Sequence, residues 1–237
     1  MLRFFRHIRK QLMEQNKIRT YFFYAAGEIL LVVIGILIAL QVNNLNENRK
    51  AQTFEQEILY LIDQNLQRDS VRLAEVLFES EQAIEYTDRL IAEVALQNYS
   101  DSLNYWMGKI ISFQRFKSQS SAFEVLKARG IEAISNKELQ LALIAYYDEN
   151  LFGVYQSLAD VENSFNTDWI PVIKQNFLDF KWKDYHTPID SKTFFEDPST
   201  IVLFKMFQDN REGCIDDLEN ALLKISEIRH LTKIQLR

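Results

Sequence analysis

Glu28 carries the most pointed chemistry in this sequence. It is the single charged residue between Tyr21 and Val42. On a helix, at 100° per residue, Glu28, Val32, Gly35 and Ala39 share one face. Gly35-x-x-x-Ala39 is a pair of small residues one turn apart, which lets two helix backbones approach closely. A charge at the centre of a membrane helix costs about 2.5–3.5 kcal/mol, and less near an interface. Three readings of Glu28 follow. It locks helices together through the Glu28, Val32, Gly35 and Ala39 face. It is an ion or proton site. Or it reaches back toward Lys17 and other basic groups at the inner leaflet. Gln41, Asn43, Asn44 and Asn46 then form a polar collar, as interhelical amides or as ordinary interfacial polarity.

The remaining chemistry is sparse. Glu227-Ile-Arg-His230 matches the Glu-x-x-His half of a helical di-iron site. The second half is missing, because Lys183 stands three residues before His186 and His7 falls on the far side of the apolar run. One cysteine, Cys214, allows no internal disulfide and no cysteine cluster. There is no G-x-S-x-G and no phosphate-cradling glycine motif. Trp106, Trp169 and Trp182, with 17 Phe and 10 Tyr, read first as core, with a ligand pocket lined by them as the alternative. The sequence therefore predicts no catalytic site, no cofactor and no metal.

The elements that position these residues are helical. From Tyr21 to Val42 the chain is long and apolar enough for a bilayer core, which takes about 20 residues. Tyr21-Phe22-Phe23-Tyr24 sits where an aromatic belt belongs. A cleaved signal peptide fits less well, because its apolar region is shorter and ends at a small-residue site. Before the run stand Arg3, Arg6, Arg9, Lys10, Lys17 and Arg19 against one acid, Glu14, so residues 1–20 carry +5 of a total charge of −6. The other residues sum to −11, too acidic for a nucleic-acid partner. The six basic residues before the span outnumber Arg49 and Lys50 after it, which puts the N-terminus in the cytoplasm and the bulk of the chain in the periplasm. Leu2, Phe5, Ile8 and Leu12 recur at helical spacing, so residues 1–19 are either an amphipathic head on the anionic inner leaflet or a plain topology signal.

No glycine or proline occurs in the 72 residues between Gly35 and Gly108. The membrane helix, 20–42, is thus expected to continue into a stalk helix over 43–97, with Asn43-Asn44-Leu45-Asn46 as the competing break. Residues 98–237 should form a periplasmic helical domain packed with the stalk. Its expected helices are 102–116, a short one between Ser121 and Gly130, a long one over 136–166, a short one over 169–180, and two closing helices over 201–207 and 214–231. Residues 181–196 read as loop, and no run alternates like a strand. The fold class is all-α: a transmembrane helix, a stalk, then an antiparallel helical bundle.

Residues 4–50, with Gly27-Glu28-Ile29-x-Leu31-Val32-Val33-Ile34-Gly35-Ile36-Leu37-Ile38-Ala39-Leu40-Gln41-x-Asn43-Asn44-x-Asn46-Glu47-x-Arg49-Lys50 as their centre, resemble the signature of an uncharacterised family of single-pass membrane proteins of Bacteroidota. Phe123-Glu124-x-Leu126-Lys127-x-x-Gly130 and Tyr146-Tyr147 resemble it as well. Leu45 stands where such proteins often have Trp. The resemblance implies an inner-membrane anchor and no known activity. Two functions are consistent with these residues. One is a membrane-anchored periplasmic scaffold that self-associates or serves as an accessory subunit of an envelope complex. The other is a periplasmic sensor or ion-conducting element using Glu28. The partners expected are the lipid bilayer and a second copy or another membrane subunit.

Overall fold

The computed structural model describes residues 18–236. The head residues Arg3, Arg6, Arg9, Lys10 and Lys17 lie outside these, and Arg19 is the second residue of the first helix. The chain divides into two compact units at Phe54 and Glu55.

Helix α1 spans Ile18–Ala95. It runs without interruption through the four residues Asn43 to Asn46, so the competing break does not form. Residues 18–54 are the described part of the first unit, and their apolar side chains from Phe22 to Leu45 face outward. A helix apolar all round has no soluble face to protect, which is the pattern of a membrane span.

The second unit starts with the remainder of α1. Its inward residues Leu59, Ile62, Leu66 and Leu73 are fully buried. Ala95 ends the helix, and Gln97 takes a left-handed conformation in the turn. Helix α2 covers Ser102–Ile110 and α3 covers Ser121–Arg129, closed by Gly130 at φ 110°. Asn136, accepting from the Leu139 amide at 3.1 Å, caps α4 over Lys137–Ile144. A π-helical turn over Ala145–Asn150 leads into α5, Leu151–Ser164. A second, Phe165–Trp169, leads into α6, Ile170–Asn176. Asp190 caps α7, Ser191–Glu196. Asp197, followed by Pro198, caps α8, Pro198–Gln235.

Side-chain pairs fix the directions. Glu55 meets Gln235, Asp63 meets Arg229, and Asp88 meets Gln208, so α8 runs antiparallel to α1. Glu55 also meets Ser135, and Asp69 meets Tyr146, so α4 and its extension run the same way as α1. Residues 96–136 are the crossover that this parallel pair requires.

Several expectations need correction. Helix α2 stops at Ile110, not near residue 116. The expected 169–180 helix ends at Asn176. After it comes an antiparallel hairpin, β1 Phe177–Lys181 and β2 Tyr185–Pro188, in a region read as helix and loop. Its cause is tertiary: the hairpin lies against α2, where Gly108 leaves room for the backbone of Asp184. The two closing helices are one, because Gly213 lies within a helix whose neighbours Arg211 and Cys214 are both buried.

Candidate functional site

The first unit holds the face singled out from the sequence. Within α1, Glu28, Val32, Gly35 and Ala39 follow at intervals of four, three and four residues, the spacing of one helix side. Glu28 is half-buried, while Val32, Gly35 and Ala39 are exposed. A Cβ added to Gly35 would meet no atom within 4 Å, so the smallness of residue 35 is not explained by packing inside this chain. The helix is long and apolar enough to cross a membrane, and no part of its apolar window is buried. The structure thus brings the four residues to one side and leaves Val32, Gly35 and Ala39 uncovered among the described residues. Asn46 lies seven residues beyond Ala39, on the same side.

The second unit holds buried polar chemistry that sequence spacing did not signal. Asp69 is 2 % exposed. Its Oδ2 accepts from the hydroxyls of Ser118 and, at 3.0 Å, Tyr146, and its Oδ1 accepts from the Gln119 amide at 2.9 Å. The Ser118 amide in turn donates to the Tyr155 hydroxyl at 3.1 Å. Three segments are tied at one carboxylate: α1, the extended stretch before α3, and the first π-helical turn. Burial, then the charge of Asp69, pushes the Tyr146 and Tyr147 phenols above their ordinary range, so both stay protonated at any physiological pH.

The second unit holds another buried tie. Arg211 of α8 is 3 % exposed and donates Nη2 to the carbonyls of Ile110 (2.9 Å) and Ser112. Burial lowers its guanidinium to about 10, still charged at neutral pH. It acts as a cationic cap on the C-terminal carbonyls of α2, where a positive charge is favoured. The ring of Phe207 lies 5.1 Å from it.

His186 sits in the hairpin at zero exposure, stacked on Phe180 with ring centroids 4.7 Å apart. Burial pushes its imidazole down to about 4. It is a neutral core residue. Trp169 is fully buried against Phe204 at 4.8 Å, and Trp182 packs on Phe113 and Phe165 at 5.0 Å each, while Trp106 stacks on Tyr86. These rings are core and rim. Glu227 is held by Lys224 at 2.7 Å rather than turned toward His230. Among the described residues, no group of three or more His, Cys, Asp or Glu side chains is arranged to hold a metal.

A family model described as a family of unknown function, DUF6090, matches residues 28–159. The match begins at Glu28 and takes in the Glu28, Val32, Gly35 and Ala39 side of α1, Asp69, Ser118 and both tyrosines. No curated protein and no solved structure matches the chain.

Proposed function

We propose that this chain, which belongs to the DUF6090 family of unknown function, is a membrane-anchored helical scaffold whose membrane helix associates with a second copy or with another membrane subunit. One observation carries this reading: α1 gathers Glu28, Val32, Gly35 and Ala39 on one side, and nothing in the described chain packs on its two small residues. In lipid, association between helices comes from close packing and from polar groups that find partners across the contact. A glycine and an alanine one turn apart supply the close approach. Glu28 supplies the polar group.

The basic residues before the span and their scarcity after it support an N-terminus in the cytoplasm and a periplasmic second unit, with α1 held in a bacterial inner membrane. The second unit, carrying 19 basic against 30 acidic residues, is the part presented to the envelope. Its buried ties at Asp69 and Arg211 support a rigid, non-catalytic platform.

The test is the mass of the complex after gentle detergent extraction from native membranes, for the natural chain and for Gly35→Leu. The expected result is a stable complex that Gly35→Leu reduces to the single chain. A complex unchanged by Gly35→Leu overturns the proposal.

A further inference from the structure

We infer that a groove between α1 and α8 is a binding site for the phosphate group of a ligand. Ser226, Arg229, His230 and Lys233 stand at i, i+3, i+4 and i+7 on α8, so they share one face. That face and Ser70 of α1 line an open groove of about 310 Å³. This is room for about ten waters at roughly 30 Å³ each, so a phosphate fits with part of what it is attached to. Ile225 is buried at the floor.

Asp63 balances the charge of Arg229, and Lys233 adds a cation with no carboxylate partner among the described residues. Asp63 accepts from Arg229 Nε at 2.8 Å, which fixes the guanidinium plane and leaves both Nη nitrogens without a hydrogen bond to the described residues. Lys233 has no carboxylate within 4 Å among those residues. Glu227, the acid nearest in sequence, is occupied by Lys224 at 2.7 Å. Ser226 offers an exposed hydroxyl. Arg229 is therefore a pre-oriented fork, the geometry that binds phosphate oxygens in a bidentate manner, with an ammonium and an imidazole beside it. His230, whose Glu-x-x-His spacing finds no second half in the sequence, thereby gains a role. The phosphate is that of a soluble ion or ester, or of a lipid headgroup.

The test uses the full chain with ¹³C-labelled histidine, which gives three imidazole signals, from His7, His186 and His230. His230→Gln assigns the one of interest. The protein is held at constant pH in maltoside, which has no phosphate, and inorganic phosphate replaces chloride at constant ionic strength. The expected result is a saturable shift of the His230 signal with His186 unmoved, and a dissociation constant five- to tenfold weaker in Lys233→Gln. The same His230 shift in phosphate-free nanodiscs of phosphatidylglycerol would identify a headgroup as the source, and its absence there, with the phosphate shift present, a soluble ligand. A His230 signal that saturates with neither probe, or a phosphate response unaltered by Lys233→Gln, overturns the site.

Discussion

Tyr146 donates its hydroxyl to Asp69 at 3.0 Å across the interior of the second unit, from a π-helical turn to the longest helix of the fold. The π-helical turn inserts one extra residue into the helical repeat. It lets Tyr146 and Tyr147 both be buried although they are adjacent in sequence. Asp69 also holds Ser118 and Gln119, so its carboxylate is the common acceptor of three donors. Asp69→Ala orphans all of them, at about 1–3 kcal/mol for each buried unsatisfied group. The expected total loss is about 3–5 kcal/mol, or roughly 6–20 °C in thermal midpoint for a unit of this size. Tyr146→Phe, which removes one donor and keeps the ring, should cost about 1 kcal/mol. Thermal unfolding followed by circular dichroism measures both. Equal midpoints for Asp69→Ala and the natural chain would show that the tie contributes nothing.

Why Asp69 escapes a sequence reading is a matter of distance. Its partners lie 49 and 77 residues away, and an aspartate among Gln67, Arg68, Arg72 and Glu75 looks like part of a solvated face. The hairpin escapes for a related reason. Phe177-Leu-Asp-Phe-Lys does not alternate, and four of its five residues are exposed, so neither period marks it. Helix α1 is the opposite case. Absence of breakers and a 3–4 apolar spacing are local signals, and they pointed to one helix through the apolar run and onward, with only the Asn43–Asn46 break left open. The face of Glu28, Val32, Gly35 and Ala39 was legible because it needs only helix arithmetic. Arg211 was not, because nothing in its neighbourhood tells a buried carbonyl-binding arginine from a surface one.

Gly108 sets how closely the hairpin can approach α2. A Cβ there would lie 2.2 Å from the Asp184 carbonyl oxygen and 2.6 Å from the Tyr185 nitrogen, both backbone atoms that a rotamer change cannot move. Gly108→Ala therefore has to displace the hairpin. The expected cost is about 1–3 kcal/mol, the range of an overpacked core, even though alanine is the better helix former. Faster proteolysis between residues 177 and 190, with the rest of the chain intact, would report the displacement. Gly213→Ala is the control: no atom lies within 4 Å of its Cβ, so it should gain up to about 1 kcal/mol.

His186 gives the second unit a pH dependence with a defined sign. Its folded value is about 4, below the unfolded value of about 6.5. Between these values the unfolded chain binds the proton and the folded chain does not. Stability is thus complete above pH 6.5 and falls as pH drops toward 4, by about 3 kcal/mol in all. Asp190 and Asp197, lowered by the helix-cap hydrogen bonds they accept, lose their contribution only at more acid pH. Denaturant midpoints at pH 7.5, 6, 5 and 4.5 should fall steadily, and His186→Phe should flatten that part of the profile. A natural chain equally stable at 7.5 and 4.5 would refute the assignment.

Glu28 separates association from conduction. Polar contacts between membrane helices contribute about 0.6 kcal/mol on average and at most about 1.7. In the proposed association, close packing at Gly35 is expected to be the larger contribution, and a leucine there would hold the backbones apart. Glu28→Gln replaces the carboxyl with an amide of the same shape that can donate and accept, so it should leave assembly within a few-fold of the natural chain. Glu28→Ala removes the polar contact and should weaken association by up to about eighteenfold, which is that upper energy expressed as an equilibrium constant. The measurement is energy transfer between donor- and acceptor-labelled copies in liposomes, over a range of lipid-to-protein ratios. Proton flux across the same liposomes should equal that of protein-free ones for all three chains. Flux carried by the natural chain and lost in Glu28→Gln would move Glu28 from a contact between helices to a proton path.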